Sequence, residues 1–280
     1  MTMITVTVLA ENAVVRLGLL GEHGLAWWID TGAQRVLFDA GQGLVLEPNA
    51  RKLGVDLGSA SGIALSHGHA DHVGGLSAAL AAAPAATLFL HPDACSRRYS
   101  GTDGKPRGRQ LSTDFMETEA FRTPGRRVVV SREPQEIAPG LWLTGEVPRT
   151  NDYEDVGGPL FLDEAMQRPD PILDDQSLYF AGREGTVVVL GCAHAGLVNT
   201  LEHIRSLTHG APIHTVVGGM HLLNAGERRL TETVAALRRL GVQRLGPNHC
   251  TGPAATALFW REFPGRCMQC CAGTRLEFAV

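Results

Sequence analysis

No window of this 280-residue chain holds the ~18 consecutive apolar residues that a membrane-spanning helix needs; its longest apolar runs, such as Thr186 to Leu190, have strand length. Basic residues are not in excess either. Lys and Arg number 25 against 29 Asp and Glu, a formal charge of −4, which leaves no electrostatic footprint for nucleic acid or another polyanion. The N-terminus, Met1-Thr-Met-Ile-Thr-Val-Thr-Val-Leu, lacks a basic segment followed by a longer apolar stretch and a small-residue cleavage site, so it reads as an alternating first strand rather than a secretion signal. Cysteine is sparse: Cys95, Cys192, Cys250, Cys267, Cys270 and Cys271. In a large chain of this kind free thiols in a reducing compartment are the default. The expectation is a soluble, cytoplasmic protein with no membrane or nucleic-acid partner. No internal repeat and no low-complexity tract beyond the Ala-rich Ala78 to Ala86 interrupts the chain.

What is present is a succession of short β-rich runs: Arg35 to Phe38, Gly62 to Leu65, Thr87 to Leu90, Thr186 to Leu190 and Ile213 to Val217. Helical spacing follows several of them, with Leu197, Leu201 and Ile204 at i, i+4 and i+7, and Leu230, Val234 and Leu237 at nearly the same interval. The pattern predicts an α/β fold, and the length fits one domain over 1–280 or two fused halves meeting near 175–190. Two stretches break it. From Cys95 to Arg132, including Gly101-Thr-Asp-Gly-Lys-Pro-Arg-Gly-Arg, the composition reads as turns on a surface insertion, and Pro148 to Asp175 reads as a long irregular loop of the kind that lines active sites.

The chemistry concentrates at His67-Gly68-His69-Ala70-Asp71-His72, where a strand turns into a helix opened by Leu76, Ala79 and Leu80. Three histidines and an aspartate within six residues are hard to bury as neutral packing, although a single histidine would be read that way. Alternation lets His67 and His69 reach one ion while Asp71 and His72 reach a second, in two-metal sites held ~3.5–4 Å from the first. Nitrogen donors with one carboxylate suit zinc first, with iron, manganese or nickel as alternatives.

Ser66-His-Gly-His-Ala-Asp-His-Val-Gly-Gly resembles the signature of the metallo-β-lactamase superfamily. Further segments resemble a subgroup labelled dihydropterin-ribofuranosyl-aminobenzene phosphate synthase-like: Gly21-Glu-His-Gly-Leu, Leu37-Phe-Asp-Ala-Gly, Thr144-Gly-Glu-Val-Pro-Arg, Asp174-Asp-Gln-Ser-Leu, Gly191-Cys-Ala-His-Ala-Gly, Gly218-Gly-Met-His-Leu and His249-Cys-Thr-Gly. The resemblance implies a four-layer αβ/βα sandwich of two similar halves holding two divalent ions in a groove. It implies His194 as the third histidine beside His67 and His69, and His249 as the residue completing the second set with Asp71 and His72. Asp39 resembles the aspartate that orients the histidine loop, against the alternative of an Asx turn before Gly41.

One position departs from the pattern. Where superfamily hydrolases commonly carry an aspartate bridging both ions, this chain reads Gly191-Cys192, and Cys192 is either a soft ligand or, as buried thiols more often are, a small packed residue. His221, also at a strand end, is a candidate for substrate binding or proton transfer against a capping role. Asp71 is expected to orient a water as well as bind metal. Arg149 is a weak candidate for an anionic group, and the lone CxxC of Cys267-Met-Gln-Cys270 a weak candidate for redox or metal use. The function implied is metal-dependent hydrolysis of an ester, lactone, phosphoester or related bond in a small-molecule substrate. A condensing enzyme like the subgroup's synthase and a non-catalytic metal-binding protein are the alternatives, and self-association into a homodimer stays open.

Overall fold

The computed structural model describes residues 2–101 and 107–280, so the turn expected around Gly101 lies partly outside the described residues. The strands in chain order are β1 (Met3–Ala10), β2 (Ala26–Asp30), β3 (Arg35–Phe38), β4 (Gly62–Ala64), β5 (Thr87–Leu90), β6 (Tyr99–Ser100), β7 (Arg109–Gln110) and β8 (Val128–Val130). They continue as β9 (Gln135–Ala138), β10 (Leu141–Leu143), β11 (Leu160–Phe161), β12 (Leu178–Gly182), β13 (Gly185–Val189), β14 (Ile213–Gly219), β15 (Arg244–Asn248) and β16 (Arg275–Ala279). The helices are α1 (Leu46–Leu53), α2 (Ala70–Val73), α3 (Leu76–Ala82), α4 (Leu197–Leu207), α5 (Glu227–Arg239) and α6 (Pro253–Glu262).

One sheet has the order β16-β1-β2-β3-β4-β5-β8 and the other β15-β14-β13-β12-β10-β9. Their facing sides share one core, in which Val6, Trp27, Ile29 and Phe38 of the first meet Leu141, Phe180, Val187 and Val217 of the second. The buried Trp27 indole satisfies its N–H across the gap, on the Leu190 carbonyl at 3.2 Å. On the outer side of the first sheet Leu46, Leu76 and Leu80 pack from α1 and α3, and on that of the second Leu201, Ile204, Leu237 and Phe259 pack from α4, α5 and α6. The result is helix, sheet, sheet, helix: the four-layer αβ/βα sandwich expected.

The expected insertion does lie largely at the surface, but it is anchored at several points. Phe115 belongs to the first outer core, and β6 pairs with both β7 and β11, tying the insertion to the 148–175 loop in a small third sheet. Arg98 is 1% exposed and paired with Asp170 at 3.3 Å and Asp174 at 2.6 Å. Of the described residues between Cys95 and Arg132 only Arg98 and Phe115 are buried, and the ion partners of Arg98 lie more than seventy positions away.

Within each large sheet the parallel strands, β3, β4, β5 and β8 in one and β13, β14 and β15 in the other, run their carboxyl ends into the loops that bear the candidate residues. Asp39 follows β3, His67 follows β4, Cys192 and His194 follow β13, His221 follows β14 and His249 follows β15. Crevices outside the carboxyl ends of parallel strands are where α/β sheets generally place ligands.

Candidate metal centre

The backbone turns sharply where each strand delivers its residue. Asp39, Ala193, His221 and His249 all have φ between 47° and 60°, the left-handed region that side chains other than glycine's seldom occupy. At Gly191, leading into Cys192, a Cβ would strike the Ser66 side chain, so only glycine lets the second-half loop close on the first.

These turns gather two sets of donors. His67 Nε2 and His69 Nδ1 stand 3.0 Å apart, and the His194 ring lies with its centroid 4.8 and 4.9 Å from theirs. In the second set His72 Nε2 and His249 Nε2 are 3.2 Å apart, with Asp71 Oδ2 at 3.3 Å from His249 and 3.8 Å from His72. Donors about 2.0–2.1 Å from one tetrahedral ion are separated by roughly 3.3–3.4 Å, close to the 3.0 Å of His67 and His69 and to the 3.2 and 3.3 Å sides of the second set, whose Asp71–His72 side is wider at 3.8 Å.

Hydrogen bonds on the far side of each ring decide which nitrogen is bare. His72 Nδ1 donates to Asp39 Oδ2 at 2.7 Å, and His194 Nδ1 donates to the Val156 carbonyl at 2.8 Å; neither acceptor has a proton to offer in return. Asn12 Oδ1 accepts the Gly24 N–H at 3.2 Å, which fixes the orientation of the amide and obliges His249 Nδ1, 3.0 Å away, to donate to the same oxygen. Ser66 Oγ gives its proton to Asp39 Oδ2 at 2.6 Å and can accept from His67 Nδ1 at 2.9 Å. These contacts direct the Nε2 of four imidazoles inward, where each is bare in the neutral ring, and His194 Nε2 is buried without a hydrogen-bond partner. Facing nitrogens 3.2 Å apart repel unless a proton or a cation lies between them, so these donors fit divalent metal.

The electrostatics divide the two sets. Burial pushes His67 and His194 well below the ordinary histidine value, with the neighbouring imidazoles acting in the same direction, and takes His69 down to about 3. Burial would lower His72 as well, but Asp39 and Asp71 outweigh it and hold that ring up to about 9. Asp71 stays well below the carboxylate range because His72 and His249 overcome its desolvation.

Cys192 occupies neither a remote packing site nor one set alone. Its Sγ is 3.1 Å from His72 Nε2, and it groups within 4.8 Å both with the donor atoms of His67 and His194 and with those of His72 and His249. The buried thiol is thus within reach of both sets. A third grouping joins Cys192, Cys250 and His221. Burial acts to raise the Cys250 thiol, yet Cys192 and His221 bring it well below the ordinary value, while desolvation keeps Cys192 in its thiol form. His221 is half-buried, with its ring centroid 4.0 Å from that of His194. Burial tends to lower its pKa, and Cys250 raises it above the usual value.

Both sets open on a cleft of about 400 Å³ lined also by Leu111, Leu160, Leu223 and Pro253. A larger groove of about 600 Å³ lies elsewhere, but its Arg35 is paired with Asp30 and its Arg275 with Glu277, and none of the donors lines it. Several contributors had no role readable from residue type, although Glu22 and His23 lie in the quoted Gly21-Glu-His-Gly-Leu segment. His23 brings Nε2 to 3.3 Å from Asp71 Oδ2, and Glu11 holds the His249 N–H at 2.7 Å. Glu22 accepts the backbone N–H groups of Gln42 and Leu44. Arg149 donates to the Ile172 carbonyl and does not line the cleft. Among the described residues, Cys267, Cys270 and Cys271 join none of the three donor groups.

A family model described as the metallo-beta-lactamase superfamily matches residues 20–207. The 7,8-dihydropterin-6-methyl-4-(beta-D-ribofuranosyl)-aminobenzene-5'-phosphate synthase of Methanocaldococcus jannaschii is 28% identical over 272 residues, covering 92% of this chain and 90% of the relative. An uncharacterized protein of the same organism, MJ0448, is 28% identical over 253 residues, covering 88% and 90%. Among solved structures Tm1679, described as a metal-dependent hydrolase of the beta-lactamase superfamily, superposes with a TM-score of 0.84 at 33% identity, covering 99% of this chain and 100% of that one.

Proposed function

The chain belongs to the metallo-beta-lactamase superfamily, and from that premise we propose that it is a metal-dependent hydrolase acting on an ester, lactone, phosphoester or related bond of a small molecule. The observation that carries the reading is the pair of donor triangles whose bare nitrogens face one cleft. His67, His69 and His194 would hold one ion, Asp71, His72 and His249 the other, and Cys192 would adjoin both; zinc suits this nitrogen, carboxylate and thiolate set best. Two such ions would supply Lewis acidity, lowering the pKa of a water from ~15.7 toward ~7 and polarising the oxygen of the scissile bond.

The residues do the rest. Asp39 fixes the His72 ring by a 2.7 Å hydrogen bond, so the imidazole cannot rotate out of register. Asp71, whose side chain is 20% exposed against 0% and 1% for His72 and His249, is the most open donor of its set and would orient a water in the cleft. His221, protonated more readily than an ordinary histidine because Cys250 adjoins it, lines the cleft beside His194, where it could hand a proton to a leaving group. Leu111, Leu160 and Leu223 exclude water from an apolar arm of the substrate. The same reading takes residues 1–280 as one domain working in the cytoplasm; among the described residues no helix is long and apolar enough to cross a membrane.

A second reading, a condensing enzyme that joins a pterin to a ribosylated aminobenzene phosphate, is favoured by the 28% identity over 272 residues to the named synthase. The test is metal analysis of protein purified without added metal, followed by chromogenic carboxylic and phosphoric esters, a lactone, and the pterin with its ribosylated partner. Metal-dependent hydrolysis supports the first reading. Condensation without hydrolysis replaces it with the second, and a metal-free, inactive protein removes both.

A further inference from the structure

The Asp174-Asp175-Gln176 segment ahead of β12 is buried throughout and supplies no donor to either set, yet its side chains end on the backbones of two different donor loops. Asp174 Oδ2 accepts the N–H of Gly68, the residue between His67 and His69, at 2.8 Å, and its other oxygen is anchored by Arg98 at 2.6 Å. Asp175 Oδ2 accepts the N–H of Ala195, the residue after His194, at 2.9 Å. Gln176 secures the first loop a second time, its N–H donating to the Ser66 carbonyl at 3.0 Å and its side-chain amide to the Leu65 carbonyl at 2.9 Å.

Consecutive Cα atoms are fixed about 3.8 Å apart by covalent geometry. Two short carboxylate arms on adjacent residues therefore span from one loop to the other with little freedom to stretch. Asp175 keeps its remaining oxygen buried without a partner, a costly arrangement for a residue that only fills space. We infer that Asp174 and Asp175 are positioning residues that act together as a caliper, setting the distance between the His67–His69 loop and the His194 loop and with it the affinity for the ion those three histidines would share. The inference rests on the metal-centre reading and adds what fixes its geometry.

Zinc alone is the probe, titrated against a competing chromogenic chelator in two backgrounds: His249→Ala, which leaves the His67, His69 and His194 set, and His194→Ala, which leaves the other. Adding Asp175→Ala should weaken zinc roughly 10- to 100-fold in the first background, as loss of a supporting partner typically does, and less than about threefold in the second. Asp175→Asn, whose amide oxygen still accepts the Ala195 N–H, should restore affinity to within about threefold of the parent. Equal weakening in both backgrounds, no weakening in the first, or an asparagine variant as weak as the alanine one would overturn the caliper. If Asp175→Ala does not fold, Asp175→Glu against Asp175→Asn decides: the longer arm must loosen the first ion and the amide must retain it. A wild-type chain that takes up no zinc rejects the metal centre itself, an outcome distinct from failure of the caliper.

Discussion

Zinc uptake by Asp71, His72 and His249 should tighten about tenfold per pH unit between roughly pH 6.5 and 8.5, while uptake by His67, His69 and His194 should not share that slope. The difference follows from where each ring's proton sits. His72 gives its Nδ1 proton to Asp39, and the paired carboxylates of Asp39 and Asp71 keep its other nitrogen protonated up to about 9. An ion entering at pH 7 must displace that proton against about two pH units, about 2.7 kcal/mol or a hundredfold in affinity. The other set has nothing to displace, because burial already holds His69 near 3 and His67 and His194 well below their ordinary value. A contribution from Cys192, which adjoins both sets, would tilt both curves and leave the contrast intact. Zinc titrations of His194→Ala and His249→Ala at pH 6.5, 7.5 and 8.5, against a chelator of known pH dependence, measure the two slopes separately. A flat line for the His72 set, or equal slopes for both, refutes the reasoning. Asp39→Asn should flatten the His72 slope by removing the charge that retains the proton.

Cys192→Ser should abolish the sulfur-to-metal charge-transfer absorption of the cobalt-loaded protein, and wild-type protein that lacks this band would show that the thiol does not ligate. Metal-free protein should lose stability on acidification through pH 6.5, because the unfolded chain gains protons that His67, His69 and His194 refuse when folded. His69 alone accounts for roughly 1.5–2 kcal/mol by pH 5, and Asp175, raised by burial to about 6, offsets about 1 kcal/mol of the total. A urea midpoint that rises from pH 6.5 to 5 contradicts this. Gly191→Ala should cost about 1–3 kcal/mol in chemical denaturation, because its Cβ would collide with Ser66; an unchanged midpoint would mean that the two loops can separate freely. All six cysteines, free in the structure, should react under denaturing, non-reducing conditions, and recovery of two or fewer would indicate disulfides.

The parts of this protein legible in its sequence are those encoded within a few residues. The strands around the His67–His72 turn, the helices carrying Leu201 and Leu237, and the spacing of the histidine cluster all declare themselves locally. Cys192 did not, because a lone cysteine has the statistics of a packed residue, and only the approach of the Gly191 turn to Ser66 brings its sulfur to His72, 120 positions away. Asn12 and Glu11 govern His249 from 237 and 238 positions away, across the junction of the two halves. Asp174 and Asp175 stood in a recognisable motif, but their targets are backbone amides, which carry no residue identity to read. Arg98 was hidden by its neighbours, whose polar composition describes a surface that its own side chain leaves.

The uneven spacing of the donors along the chain also bears on the unfolded state. Four of them lie within six residues at His67 to His72, a chelate short enough to persist when the rest of the protein is unstructured. Cys192 and His249 join it only by closing loops of 120 and 177 residues. An ion that also binds the denatured chain shifts the folding equilibrium by less than its native affinity implies, since only the difference between the two states counts. A metal ion with appreciable affinity for the isolated histidine turn would therefore stabilise the fold by less than its native affinity alone, and a peptide spanning His67 to His72 gives the size of that correction.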